Sequence, residues 1–142
     1  MTLTQSQLDQ LFEQMRRDAP YETCGMIGGR DGRALKIYPI KNVAENRVKN
    51  YFMDGVEQIR AMQDMDDNSY DILAIYHSHP VTRAYPSATD VRDAYDADLQ
   101  EPRYPGTVYI IMSLMNPDAP EAHGYLLEGE TITETPLEII SD

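Results

Sequence analysis

Residues 71–90 read Asp-Ile-Leu-Ala-Ile-Tyr-His-Ser-His-Pro-Val-Thr-Arg-Ala-Tyr-Pro-Ser-Ala-Thr-Asp. The run from Asp71 to His77 has strand length and almost no polar interruption, which predicts a central strand buried on both faces. Pro80 and Pro86 mark the loop that follows, and Ser87 stands where a helix begins, with Asp90 three residues on and Val91, Ala94 and Tyr95 behind it. Outward from this stretch, residues 4–18 predict an amphipathic helix: Leu8, Leu11, Phe12 and Met15 fall at helical spacing, Thr4 or Ser6 is the N-cap, and Pro20 ends it. Residues 24–29 and 34–40 predict the two strands of a hairpin around Arg30-Asp31-Gly32. Asp54 caps a second helix carrying Val56, Ile59, Met62 and Met65, stopped by the polar residues 66–69. Residues 107–114, 122–127 and 131–135 read as three more strands. Helices interleaved with strands and closing hairpins predict an α/β fold, a mixed β-sheet flanked by helices, with residues 1–142 as a single domain.

The chemistry is concentrated where the central strand ends. Side chains alternate faces along a strand, so His77 and His79 project on the same side and can share one ion. A lone histidine at a strand end is ordinarily a satisfied surface residue; the His-x-His pair is what brings metal binding into contention. Asp90, in the first turn of the next helix, is the candidate third ligand. Three protein ligands leave a fourth tetrahedral position free, as in catalytic rather than structural zinc sites. Ser87-x-x-Asp90 is also close to a capping box, which needs no catalysis to explain it. The two readings are compatible, because a cap fixes the turn that holds Asp90 and leaves the Ser87 hydroxyl able to donate to a substrate oxygen. A zinc hydrolase also needs a group that takes a proton from water and hands it to the leaving amine. Glu22, between the first helix and the first strand in Pro20-Tyr-Glu-Thr-Cys-Gly25, is the candidate. A glutamate at such a junction is ordinarily solvated, and spacing alone does not lift it above that.

Composition narrows the function further. The net charge of −12 argues against a phosphate-backbone binder, whose affinity comes largely from Lys and Arg, so nucleic acid is not an expected partner. Residues 1–50 hold 8 basic and 6 acidic side chains, so any basic surface belongs to the first third. A single cysteine, Cys24, cannot form an internal disulfide, and the first residues lack the basic-then-apolar pattern of a secretory signal, which predicts a cytoplasmic protein. No apolar run approaches the ~20 residues of a membrane span.

Residues 77–90 carry His-Ser-His-Pro, six residues and Ser-x-x-Asp without a gap, preceded by a separated Glu22 in Pro-x-Glu-x-Cys-Gly. In this the chain resembles the JAMM (MPN+) metallopeptidases, and most resembles the bacterial Mec-type (CysO-cysteine) peptidases; the similarity runs over nearly the whole chain. The resemblance implies the MPN/JAMM fold, which is cytidine-deaminase-like. It implies one Zn²⁺ per chain held by His77, His79 and Asp90, with Glu22 as general base and acid and Ser87 stabilising the oxyanion. The implied substrate is a ubiquitin-like sulfur-carrier protein with a C-terminal Gly-Gly tail, from which cysteine or a small adduct is released during cysteine biosynthesis.

Other readings stand beside this one: a deubiquitinase-like isopeptidase of another ubiquitin-like modifier, a non-catalytic MPN scaffold, and a non-haem iron oxygenase built on two histidines and a carboxylate. A second copy of the chain is a further candidate partner. Cys24 lacks the neighbouring His and Asn or Asp of a nucleophile and reads as a small buried residue, and His123 reads as packing within its strand. Arg83 and Tyr85, in the loop before Ser87, are candidates to touch a substrate tail. An extended Gly-Gly tail is expected to lie along an exposed strand edge, for which residues 47–53, with Arg47 and Lys49, are one candidate.

Overall fold

In a computed structural model that describes residues 1–142, the elements run β1 (Thr2–Thr4), α1 (Gln5–Asp18), β2 (Cys24–Arg30), β3 (Arg33–Ile40), α2 (Gly55–Asp67), β4 (Asp71–His79), α3 (Ala88–Asp93), β5 (Tyr95–Asp96), β6 (Glu101–Pro102), β7 (Val108–Ser113), β8 (Glu121–Glu128), β9 (Thr131–Thr135) and β10 (Glu138–Ile140). Eight strands form one mixed sheet in the order β10-β1-β3-β2-β4-β7-β8-β9, and β5 and β6 make a small separate hairpin. The central pair β4–β7 is parallel, β1 is parallel to both β3 and β10, and the remaining pairs are antiparallel. The expected mixed sheet flanked by helices is therefore what the chain forms.

The two-residue period of a strand divides the apolar side chains between two cores. Val108, Ile110 and Met112 of β7 join Ala74 and Tyr76 of β4 beneath Leu11 and Met15 of α1. Tyr109 and Ile111 join Ile75 of β4 on the opposite face, beneath Ala61 and Met65 of α2. Each such fully buried Leu, Ile or Met stabilises the fold by roughly 1.5–3 kcal/mol of transfer free energy. Both β4 and β7 are buried on both faces, as their unbroken apolar runs require.

Local chemistry sets the helix starts. Thr4 caps α1 in a full capping box with Gln7, and Asp54 caps α2 by accepting from the Glu57 amide. The face α2 turns inward matches the expected one at Met62 and Met65 and departs from it at Val56 and Ile59. Its inward stripe is Gln58, Ala61, Met62 and Met65, at i, i+3, i+4, i+7 spacing, with Gln58 donating to the Tyr104 hydroxyl at 3.0 Å. Val56 and Ile59 lie off that stripe, Val56 almost opposite it, and are 57% and 58% exposed. Two further strands, β1 and β10, are only three residues long, too short for alternation to register, and they pair with one another from Thr2↔Glu138 to Thr4↔Ile140.

Gly25 sits on β2 between the Tyr76 ring and the Tyr38 carbonyl of β3, and a Cβ there would overlap both. Tyr76 cannot swing aside, because its buried hydroxyl donates to Gln14 Oε1 at 2.6 Å. Gly25→Ala is expected to destabilise the protein by roughly 2–3 kcal/mol through overpacking, read as a lower urea midpoint at unchanged m-value.

Candidate metal centre

The site assembles at the carboxyl end of β4, beside its parallel neighbour β7, where open α/β sheets characteristically bind ligands. In the β2–β4 ladder Cys24 faces His77 and Gly25 faces Tyr76. The ladder ends at Cys24, but Thr23 still lies beside Ser78, and Glu22, one residue beyond, comes within the electrostatic reach of His79 and Asp90. Hydrogen bonds hold Thr23 in place: the Ser78 amide donates to the Thr23 carbonyl at 3.1 Å, and the Thr23 amide donates to the Ser78 hydroxyl at 2.8 Å. Glu22 and His79, 57 residues apart in sequence, thus come to one face of the sheet.

Asp90 arrives from α3. Ser87 is the N-cap of this helix: its hydroxyl accepts from the Asp90 amide at 3.1 Å, and its own amide donates to Asp90 Oδ2 at 2.9 Å. The loop leading to it is pinned through three successive carbonyls. Thr82 accepts from the Ser113 hydroxyl, Arg83 from His79 Nδ1 at 3.0 Å, and Ala84 from the Tyr125 hydroxyl at 2.6 Å.

His77 Nε2, His79 Nε2 and Asp90 Oδ2 form a triangle with all three sides 3.1 Å. Because a carbonyl only accepts, the bond to Arg83 places the proton of a neutral His79 on Nδ1, leaving Nε2 as a bare lone pair aimed at an anionic oxygen. Electron pairs converging in this way call for a cation. For tetrahedral bonds of 2.0–2.1 Å the ligand atoms stand about 3.3–3.4 Å apart, close to the spacing found here. Two imidazoles and a carboxylate are a donor set that suits Zn²⁺, so the residues present fit the metal.

Electrostatics match the geometry. Burial lowers the pKa of His77 and outweighs the carboxylate of Asp90, which accepts a hydrogen bond from its protonated form, so burial favours the neutral imidazole. For His79 burial also works against the charge, but Asp90 and the Arg83 carbonyl outweigh it and hold the pKa above the ordinary value. Burial tends to raise the Asp90 carboxyl, yet the hydrogen bonds of His77 and His79 keep it well below the usual carboxylate range. Glu22 stands outside the triangle but within reach of its charges; burial pushes its pKa up to about 7, with His79 lowering and Asp90 raising it.

The other residues singled out by sequence fall as follows. Cys24 is buried, its thiol bonded to the Ile40 carbonyl at 3.3 Å, and burial pushes its pKa up to about 12, so it is no thiolate at neutral pH. His123 lies on β8 opposite Ile111, apart from the cluster. Arg83 contributes its carbonyl, while its guanidinium lies over the Tyr85 ring at 4.5 Å. Residues 47–53 form no strand edge, with only Met53 making a bridge, to Asn42. Instead Tyr51 stacks on the His77 ring, with centroids 4.4 Å apart and planes 20° apart. Ser78, Tyr51 and the carbonyls of 82–84 were not assigned these roles from sequence. Ser78 alone carried a signal, sitting between the two histidines on the opposite side of the strand.

The family described as prokaryotic homologs of the JAB domain matches residues 4–124. The CysO-cysteine peptidase of Mycobacterium tuberculosis is 34% identical over 127 residues, 88% of this chain and 81% of that protein. A solution structure from Desulfitobacterium hafniense superposes with a TM-score of 0.84 at 32% identity, covering 99% of this chain and 93% of the other. The crystal structure of a JAB1/MPN domain protein from Archaeoglobus fulgidus shares the fold, with a TM-score of 0.60 at 16% identity over 99% of this chain and 97% of its own.

Metal binding at the triangle is expected to compete with protons. Below the raised pKa of His79 a proton must leave before an ion binds, so Zn²⁺ affinity should fall by about tenfold per pH unit in that range and level off above it. Calorimetric titration of chelator-treated protein with Zn²⁺ between about pH 5.5 and about pH 8 measures this. A flat profile removes His79 from the ligand set.

Proposed function

The chain belongs to the family of prokaryotic JAB-domain homologs, and from that premise we propose that it is a zinc peptidase that hydrolyses the bond after the C-terminal Gly-Gly of a ubiquitin-like sulfur-carrier protein. One observation carries the reading: three buried or half-buried ligand atoms at 3.1 Å from one another, with the shielded carboxyl of Glu22 beside them. A non-haem iron oxygenase has no use for Glu22 or for Ser87. The mycobacterial relative supports the substrate class, with cysteine or a similarly small adduct as the group released. Residues 1–142 are read as one catalytic domain with one Zn²⁺, working in the cytoplasm; no helix is long and apolar enough to cross a membrane.

His77, His79 and Asp90 would hold the ion. When bound there, Zn²⁺ would lower the pKa of water to about 7 and polarise the scissile carbonyl. Glu22 takes a proton from the attacking water and passes it to the nitrogen of the leaving amine as the C–N bond breaks. A carboxyl group with a pKa near 7 is matched to both halves of that task. The Ser87 hydroxyl accepts from the Asp90 amide and keeps its own proton, which it donates to the oxyanion that develops on the carbonyl. Such a donor is worth ~10²–10³ in rate.

The test incubates the purified protein with carriers ending in Gly-Gly-Cys, with and without a chelator, and weighs the products by mass spectrometry. Chelator-sensitive release of cysteine is expected. Glu22→Gln should retain bound zinc while losing at least ~10²-fold in rate. If no Gly-Gly-X tail is cut in a chelator-sensitive way, the peptidase reading fails; if only protein conjugates are cut, the isopeptidase reading replaces the carrier-cysteine one.

A further inference from the structure

Asn42, the second residue after β3, uses all four hydrogen-bonding positions of its side-chain amide. Nδ2 donates to the Glu22 and Asn50 carbonyls, both at 3.0 Å, and Oδ1 accepts from the Ala44 and Phe52 amides, both at 3.0 Å. This is the full capacity of a primary amide, so only one orientation of the group satisfies its surroundings. The Glu22 amide in turn donates to the Arg47 carbonyl at 2.7 Å, within the segment that Asn42 folds. Glu22 lies just outside the β2 ladder, and both of its main-chain polar groups are bonded to residues 42–47. At the other end of the segment, the Phe52 amide on Oδ1 fixes the neighbouring Tyr51, whose ring covers His77.

We propose that Asn42 is a positioning residue for the hydrolysis: one side-chain amide sets the proton-transferring Glu22 and the His77-covering Tyr51 at a fixed separation. It touches neither ligand atoms nor substrate and acts through these two residues. The inference rests on the peptidase reading for the role of Glu22, while the geometry of the amide does not. A carboxylate at this position turns a lone pair toward two carbonyl oxygens in place of two N–H donors, keeping the acceptor side intact. An alanine leaves two carbonyls and two amides to find other partners.

The experiment compares wild type with Asn42→Asp, which has the same shape, and Asn42→Ala, which lacks the repulsion in case the first variant folds poorly. Amide hydrogen exchange and the NMR shifts of the His77 ring protons are measured on the zinc-loaded proteins, alongside steady-state cleavage of a carrier ending in Gly-Gly-Cys. The expected result is unchanged zinc stoichiometry and unchanged protection in α1 and β7. Glu22 amide exchange should speed up about tenfold or more, His77 ring shifts should move as the Tyr51 stack changes, and kcat should fall about 10- to 100-fold with KM within about twofold. Wild-type exchange at Glu22, or wild-type kcat despite faster exchange, overturns the proposal. So does a loss of protection spread evenly through the sheet, which marks a merely structural residue. If wild type itself cuts no such tail, the peptidase reading fails; the exchange and ring-shift results then still decide whether Asn42 holds Glu22 and Tyr51.

Discussion

Everything at the site depends on the register between β2 and β4. With Cys24 opposite His77, the side chains that face the α2–α3 layer are His77 and His79 on one strand and Cys24 on the other, with Glu22 on its extension. Slipping β2 by one residue against β4 would turn Cys24 and Glu22 to the opposite face, away from the two histidines that the β4–β7 pairing holds in place. Two features hold the register. Gly25 lets the Tyr76 ring and β3 close tightly on β2, and Ser78 bonds both main-chain polar groups of Thr23. The one irregularity in the ladder lies between Ile27 and Gly28, so the end that bears the chemistry stays regular.

The same economy is visible in α3. Six residues cannot sustain a helix on hydrogen bonding alone, and its first turn depends on the Ser87–Asp90 capping box. Asp90 Oδ2 accepts from the Ser87 amide and is also the oxygen that faces both imidazoles. The oxygen that closes the cap is thus also the one that faces the imidazoles. The helix holds the carboxylate in place, and the imidazoles reward the turn for holding it. In a chain of net charge −12, the neighbouring imidazoles and the Ser87 amide hold this carboxyl well below the usual carboxylate range despite its burial.

What the sequence made legible was local. His77, His79, Ser87 and Asp90 lie within 14 consecutive residues, and strand alternation plus a capping pattern are enough to bring them together. The strands β4 and β7 announced themselves by unbroken apolar runs. Long-range partners left no such trace. Glu22 was reached by resemblance, since its approach to His79 follows from a pairing that no window around residue 22 encodes. The stacking of Tyr51 on His77 follows no local pattern, and Asn42 organises residues 42–52 through a side chain rather than through any periodicity. The α2 face was misjudged at Val56 and Ile59 because a helix with apolar residues on more than one stripe offers more than one way to sit, and packing against the sheet selects one.

The pairing of β1 with β10 joins residues at opposite ends of the sequence, Thr2 with Glu138, and further bonds run from Met1 to Pro136 and from the Ser6 amide to Asp142. The β2–β3 hairpin closes a loop of a few residues, and β4 adds to it after one intervening helix. The entropy of loop closure grows with the length enclosed, so pairing β2 with β3 costs less loop-closure entropy than the β1–β10 strap, which encloses nearly the whole sequence. The histidine-bearing part of the sheet is therefore built from nearer neighbours in sequence than the strap that joins Thr2 to Glu138.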